Sequence, residues 1–198
     1  ACYAMIGYRT AYLKAHYPIE FTTSLFNADS GDIERIAFLV SESKKSKIEV
    51  LAPDVNKSFV NFVAEGKKIR FGLLAIKNVG VAVVDAIIEE RQRAGPFENL
   101  TDFLTRVRHK DLNKKSLESM FKDGVFDSFG LDRNTLLSNL EEILAFSQNI
   151  KKSQSTNQGG LFGADFHNGA ALRLKDAPAA TNKEKLLWEK ELLGLYIS

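Results

Sequence analysis

The stretch Ile69-Arg70-Phe71-Gly72-Leu73-Leu74-Ala75-Ile76-Lys77-Asn78-Val79-Gly80-Val81-Ala82-Val83-Val84-Asp85-Ala86-Ile87-Ile88-Glu89-Glu90-Arg91-Gln92-Arg93 decides how this chain folds. It reads as a short helix, a tight turn at Asn78-Val79-Gly80 and a longer helix. Leu73 and Ile76 form the apolar side before the turn. Val79, Ala82, Val83, Ala86 and Ile87 recur at i, i+3, i+4 spacing after it. Gly80 can take the left-handed backbone that a tight turn often needs, and Asn78 belongs to the few other residue types that tolerate it. A helix that starts there exposes unpaired backbone N–H groups at the positive end of its dipole, which suits an anion.

The segment resembles a helix-hairpin-helix, a motif that holds nucleic-acid backbone without reading sequence. That pattern has Gly-apolar-Gly at the turn, and Asn78 stands in the first Gly place. Taken alone, the turn fits a plain αα-hairpin closed by a glycine equally well.

The chain downstream favours the first of these. Gly95-Pro96-Phe97 breaks the helix. Asn99 can cap a new one, with Asp102 three residues on in a capping-box-like place. Leu100, Phe103, Leu104 and Val107 give that helix its apolar side. After Arg108-His109-Lys110-Asp111-Leu112, Asn113 can cap a helix over 114–122 with Leu117, Met120 and Phe121 facing inward and Gly124 as its stop. This is a second helix-turn-helix unit, roughly thirty residues after the first. Its turn carries Lys110, Lys114 and Lys115. Two such units in tandem predict a compact four-helix module, basic at both turns.

Charge follows the same map. Formal net charge is only +2, yet residues 66–124 hold 12 Lys/Arg against 8 Asp/Glu, while the remainder holds 15 against 17. The positive excess therefore lies on the hairpins, where phosphate binding would need it. A solvated helical surface is the plainer reading of a +4 excess.

Upstream, residues 1–17 predict a helix with Ala4, Tyr8, Ala11, Tyr12 and Ala15 on one face, stopped at Pro18 because a residue before proline disfavours helix. Another helix is predicted over about 19–27. A third, capped by Ser30, has Ile33, Ile36, Ala37 and Val40 inward. Ile48-Glu49-Val50-Leu51 reads as a strand. Residues 59–64 and 68–71 flank Glu65-Gly66-Lys67 as a β-hairpin.

Beyond the hairpins, residues from Asp132 to about Ile150 predict one long amphipathic helix with Leu136, Leu137, Leu140, Ile143 and Leu144 as its core face. Residues 151–182 are rich in polar and small residues and read as a flexible segment. Within it Gln158-Gly159-Gly160-Leu161-Phe162 places two bulky apolar side chains with no local core to enter. Such a peptide can dock Leu161 and Phe162 into a partner's pocket, with Gln158 supplying a hydrogen bond. A charged helix over 183–191 follows.

Hydrophobic residues make up 44% of the chain and charged residues 26%, ordinary for a globular protein. Cys2 is the only cysteine, which excludes an intrachain disulfide and fits a reducing, cytoplasmic compartment. One Cys and three scattered His give no metal-ligand cluster. No run approaches the roughly 18 apolar residues of a membrane span. The sequence opens at Ala1-Cys2-Tyr3, without Met and already helical in pattern, so a longer polypeptide is expected. No catalytic residue is assigned, since nucleophile–base pairs, phosphate-cradling loops and spaced carboxylate pairs are not recognisable.

Taken together, the motifs resemble the alpha subunits of bacterial replicative DNA polymerase III, the C-family polymerases. Ala4-Met5-Ile6-Gly7-Tyr8-Arg9-Thr10-Ala11-Tyr12-Leu13-Lys14-Ala15-His16-Tyr17-Pro18 looks like part of their fingers. Pro53-Asp54-Val55-Asn56, Ile69-Arg70-Phe71-Gly72, Gly95-Pro96-Phe97, Leu112-Asn113-Lys114 and Leu193-Gly194-Leu195-Tyr196 fall in the family's order. The resemblance implies a mainly α fold: a fingers-like helical segment with a small β element (1–65), a tandem helix-hairpin-helix module (66–130), a packing helix (131–150), a flexible segment (151–182) and the start of a further domain (183–198). It implies a DNA-directed DNA polymerase as the parent, with Mg-type divalent metal held by carboxylates that lie upstream, and none in this fragment. Duplex DNA would be held by Lys77, Asn78, Val79, Gly80, Val81, Lys110, Lys114 and Lys115. A sliding clamp would be held by Gln158, Leu161 and Phe162, with other holoenzyme subunits as further partners and no membrane. Two other functions fit parts of the pattern. One is a helix-hairpin-helix module of a repair nuclease or ligase; the other is a protein-interaction bundle indifferent to salt.

Overall fold

Among the described residues, alternation of helix signals and short β runs along the sequence produces three helices, a three-stranded sheet and then six more helices. A computed structural model describes residues 2–155, 172–194 and 196. The helices are α1 (Cys2–His16), α2 (Pro18–Ala28), α3 (Ile33–Lys45), α4 (Val81–Ala94), α5 (Leu100–Arg106), α6 (Lys114–Lys122), α7 (Arg133–Ser138), α8 (Leu140–Ser155) and α9 (Asn182–Leu192). The strands are β1 (Glu49–Leu51), β2 (Val63–Glu65) and β3 (Lys68–Arg70). The fold is mainly helical with a small sheet, as the sequence predicts.

Pro18 serves both helices that meet at it. It keeps Tyr17 out of helical conformation, and it occupies the first turn of α2, where a missing N–H costs nothing. In α1 the face carrying Ala4, Tyr8, Ala11, Tyr12 and Ala15 is exposed, like the rest of the helix: no α1 residue is buried. The rings of Tyr8, Tyr12 and His16 follow one another along it at a tilt, with centroids 6.3 and 4.2 Å apart. The cap of α3 is Asp32 rather than Ser30, its carboxylate accepting from the Arg35 N–H at 3.1 Å. Ser30 lies two residues too far from the first helical residue to reach. Ile33, predicted inward, is exposed, and Leu39 joins Ile36 and Val40 in the core.

The sheet has the order β1-β3-β2, parallel between β1 and β3 and antiparallel across the Gly66 turn. Ile69 is central and fully buried, opposite both Val50 and Ala64. Pairing on both sides keeps Ile69 and Arg70 extended, as the hairpin reading predicts, and the short helix predicted before the Asn78 turn is one 3-10 turn, Leu73–Ala75. The turn starts where backbone meets backbone. A side chain at Gly72 would stand 2.4 Å from the Val60 carbonyl oxygen, so only glycine fits.

A continuous apolar core runs from Phe26 through the sheet and α4 to Ile143. In its second half Phe97, Phe103, Phe126 and Phe121 meet edge to face, with centroids 4.9 to 5.4 Å apart, an arrangement aromatic rings favour. Leu117, Met120 and Phe121 are fully buried, as their spacing predicts. Val84 and Ile88 widen the buried stripe of α4 beyond the predicted Val83 and Ile87, while Ala82 faces solvent.

Three asparagines pin irregular segments by pairing a side-chain amide with one residue's N–H and C=O. Asn27 pairs with Phe62 (3.0 and 2.9 Å), Asn56 with Phe97 (2.8 and 2.7 Å) and Asn139 with Lys175 (2.9 and 2.8 Å). The last of these corrects the single long helix predicted from Asp132. Asn139 sits between α7 and α8, its Nδ2 also donating to the Thr135 carbonyl at 2.7 Å. The predicted flexible segment contains the end of α8 and, from Leu172, a run without helix or strand. That run is held by Asn139 and, at Ala180, by the Asp132 carboxylate at 3.0 Å.

Candidate nucleic-acid interface

At the first hairpin turn the roles of Asn78 and Gly80 are exchanged relative to the sequence reading. Asn78 holds the left-handed conformation, φ 67°, the place of the motif's first glycine. Gly80 is extended, φ −86° and ψ 156°, and is the N-cap of α4. Asn78 tolerates that backbone because its short amide bonds locally or to a neighbour; here Nδ2 donates to Ser119 Oγ on α6 at 3.0 Å. Val79 is buried and its N–H donates to the Ile76 carbonyl at 3.2 Å, so Val79 anchors the turn from inside.

What remains exposed is the start of α4. The Gly80 carbonyl accepts from Val83 and Val84 at 3.1 and 3.2 Å, closing the first turn. Val81 and Ala82 are its first two residues, and helix geometry gives their N–H groups no carbonyl. Gly80 has no side chain to cap them, and the first turn contains no acidic residue. A Cβ at Gly80 would meet nothing within 4 Å, so neither backbone nor packing demands glycine there. Lys77 is exposed beside this end, its own N–H donating to the Leu192 carbonyl of α9 at 3.4 Å. The result is an open helix N-terminus with a cation next to it, which attracts an anion through the dipole and the free donors together.

The second hairpin is built differently. α6 begins with a reciprocal capping box: Asn113 Oδ1 accepts from Ser116 N–H at 3.1 Å and Ser116 Oγ from Asn113 N–H at 2.9 Å. Lys110, Lys114 and Lys115 are all exposed. Lys114 forms an ion pair with Glu141, in the first turn of α8. The hydrogen bond to Glu141, with its charge, holds the Lys114 ammonium above the usual lysine range. His109 turns inward on its own loop, Nδ1 accepting from Asp111 N–H at 3.2 Å.

One residue that ties the hairpins together is not singled out by the sequence reading. Arg106, at the end of α5, donates to the Glu90 and Gly95 carbonyls at 2.8 and 2.7 Å, to the Pro96 carbonyl at 3.3 Å and to Asp102 at 2.9 Å. Its guanidinium lies 4.4 Å from the Phe97 ring centroid. A planar fork of donors is what lets one side chain hold the end of α4, the connecting loop and α5 at once. The only local trace in the sequence is the i,i+4 spacing from Asp102, which many surface pairs share. With the Asn78–Ser119 bond, this fixes the two turns relative to each other.

Gln158, Leu161 and Phe162 lie outside the described residues. Among the described residues no group of three His, Cys, Asp or Glu side chains could hold a metal ion. No described helix is long and apolar enough to cross a membrane.

Known proteins match both the hairpins and the whole chain. Residues 47–136 match the helix-hairpin-helix motif family. The full chain is similar to DNA polymerase III subunit alpha of Thermus aquaticus, 40% identical over 198 residues, covering all of this chain and 16% of that protein. The corresponding subunits of Deinococcus radiodurans and Neisseria meningitidis serogroup A are 41% and 38% identical, again across the whole chain and over 15% and 17% of their own length. The chain thus spans about one sixth of the relatives it matches. Across its whole length the chain thus matches a segment of DNA polymerase III alpha subunits, and within that length it matches the helix-hairpin-helix motif family.

Proposed function

We propose that this segment holds duplex DNA by its sugar–phosphate backbone within a replicative DNA-directed DNA polymerase, without contributing to the chemical step. The observation that carries this is the uncapped, acid-free N-terminus of α4 at Gly80, set beside Lys77 and fixed to a second basic hairpin. Donors on the main chain contact phosphate whatever the base sequence, as a polymerase moving along its template requires. Lys110 and Lys115 would add charge from the second hairpin. Nucleotidyl transfer and its divalent metal would belong to the remainder of the longer protein. Gln158, Leu161 and Phe162 would tether it to a sliding clamp, other holoenzyme subunits would complete the assembly, and the setting would be the cytoplasm. Tethering makes rebinding intramolecular, so a weak peptide contact there would lengthen residence on DNA greatly.

The test is fluorescence anisotropy with labelled duplex DNA of mixed sequence across a salt series, repeated with Gly80→Val. Valine suits the extended backbone and open surroundings of Gly80, so the variant should fold. Wild-type binding is expected to fall steeply with salt, because each neutralised phosphate releases counterions. Gly80→Val should bind about tenfold or more weakly, since its isopropyl group covers the free N–H groups. Salt-independent binding, or full binding by Gly80→Val, would overturn the reading.

A further inference from the structure

The two hairpins are unequal in what occupies their anion-binding groups. At the first, the leading N–H groups of α4 are uncapped and the first turn contains no acid. At the second, the capping box uses the Asn113 and Ser116 N–H groups, and a carboxylate is already seated on Lys114. That carboxylate, Glu141, comes from the first turn of α8, 27 residues along the chain. A carboxylate and a phosphate make the same kind of charge-assisted bond to an ammonium.

We infer that Glu141 is an internal phosphate surrogate: it occupies Lys114 in the free protein and must be exchanged for a DNA phosphate before the second hairpin engages fully. The inference rests on the backbone-binding reading above and adds to it an order of engagement, first hairpin before second. Both partners are largely exposed, with side-chain accessibilities of 58% for Lys114 and 72% for Glu141. Exposed ion pairs of this kind are weak and screened by salt, so a polyanion can displace the carboxylate. The raised Lys114 ammonium agrees with a carboxylate held against it. Among the described residues no carboxylate pairs with Lys110 or Lys115, so within the second hairpin these two can meet DNA before Lys114 does. Glu141 thus weakens non-productive binding, because only DNA positioned on the first hairpin brings enough phosphates to win the exchange.

The experiment compares Glu141→Gln, Lys114→Ala and the double variant with wild type, using the 198-residue chain and a fluorescein-labelled duplex over a salt series. Thermal melts verify folding, which substitution at so exposed a position should leave intact. Glu141→Gln is expected to bind about two- to fivefold tighter near 0.1 M salt, with a log–log salt slope steeper by about 0.9, one extra phosphate neutralised. Lys114→Ala alone should cost less than Lys115→Ala, and in the Glu141→Gln background it should cancel the gain. Affinity and slope unchanged in a folded Glu141→Gln, or Lys114→Ala as costly as Lys115→Ala in the wild-type background, would overturn the inference. The Gly80→Val variant separates this result from the parent reading. Full binding by Gly80→Val refutes the first hairpin's role, while the ratio of Glu141→Gln to wild type still decides the role of Glu141. A chain in which neither wild type nor Glu141→Gln binds refutes both.

Discussion

Asn78 combines two tasks that a glycine at the same place would divide. It holds a left-handed backbone, φ 67°, and it bridges the hairpins through Ser119. Alanine would keep the strain and lose the bond, so Asn78→Ala should lower unfolding free energy by about 1–2 kcal/mol. Asn78→Gly loses the bond but relieves the backbone and should cost less. Urea denaturation of the two variants checks the order, and an alanine variant as stable as the glycine variant would refute this account. The sequence did locate the turn and named both residues that could shape it. It assigned the left-handed place to Gly80 because glycine is the usual occupant; the Ser119 hydroxyl that supports Asn78 is 41 residues away and leaves no local mark. Arg106 and Glu141 were missed for the same reason. Their partners are carbonyls of another segment and a lysine on another helix, whereas the caps Asn99 and Asn113, whose partners lie three residues on, were legible.

Among the elements, α6 and α9 meet across buried acid. Asp123, the C-cap of α6, is 1% exposed, and among the described residues neither of its carboxylate oxygens has a hydrogen-bond partner. Burial pushes its carboxyl well above the ordinary aspartate range; Arg133 opposes this, and the buried Glu189 of α9 and Asp127 reinforce it. A folded carboxyl raised in this way keeps its proton while the unfolded one ionises. The folded state then binds more protons, and its stability falls as pH rises from the unfolded value near 4 toward the folded one. Asparagine cannot ionise, so the stability of Asp123→Asn relative to wild type should increase between pH 5 and pH 8. Melting temperatures at the two pH values test this, and a constant difference would show that Asp123 does not titrate differently in the folded chain. Carboxylates such as Glu65, lowered by its bond to Arg70, act in the opposite sense and lose their contribution as pH falls. At this scale periodicity found most helices. It failed where contacts from outside decide: the break at Asn139 and the 3-10 turn in place of a helix before Lys77.

For the molecule as a whole, one apolar core joins the sheet to the tandem hairpins, so the two hairpin turns rest on the same packed body as the sheet and the helices before it. On the sheet side Phe26 stacks on Phe62, which meets Phe71 at a tilt, with centroids 4.9 and 4.6 Å apart, and the edge-to-face cluster around Phe126 fills the hairpin side. Rigid support of this kind fits a grip that must stay in register over many phosphates. The chain's mainly helical class and its two basic turns could be read in advance, because composition and 3.6-residue spacing carry them. The inequality of the two turns could not, because it depends on which anion-binding groups the fold itself already occupies.

The three asparagine–peptide pairs have a consequence for solvent access to the main chain. The amide protons of Phe62, Phe97 and Lys175 belong to residues outside every helix and strand, yet each points at an asparagine oxygen 35 to 41 residues away. Opening any of them requires separating two distant segments rather than fraying a loop, so their exchange with deuterium should report sub-global opening. In a hydrogen-exchange experiment these three loop amides should exchange as slowly as those in nearby helices, while unbonded loop amides around them exchange at once. Asn56→Ala should speed the Phe97 amide selectively, making these loop protons sensitive probes of how the sheet, the hairpins and the C-terminal run separate.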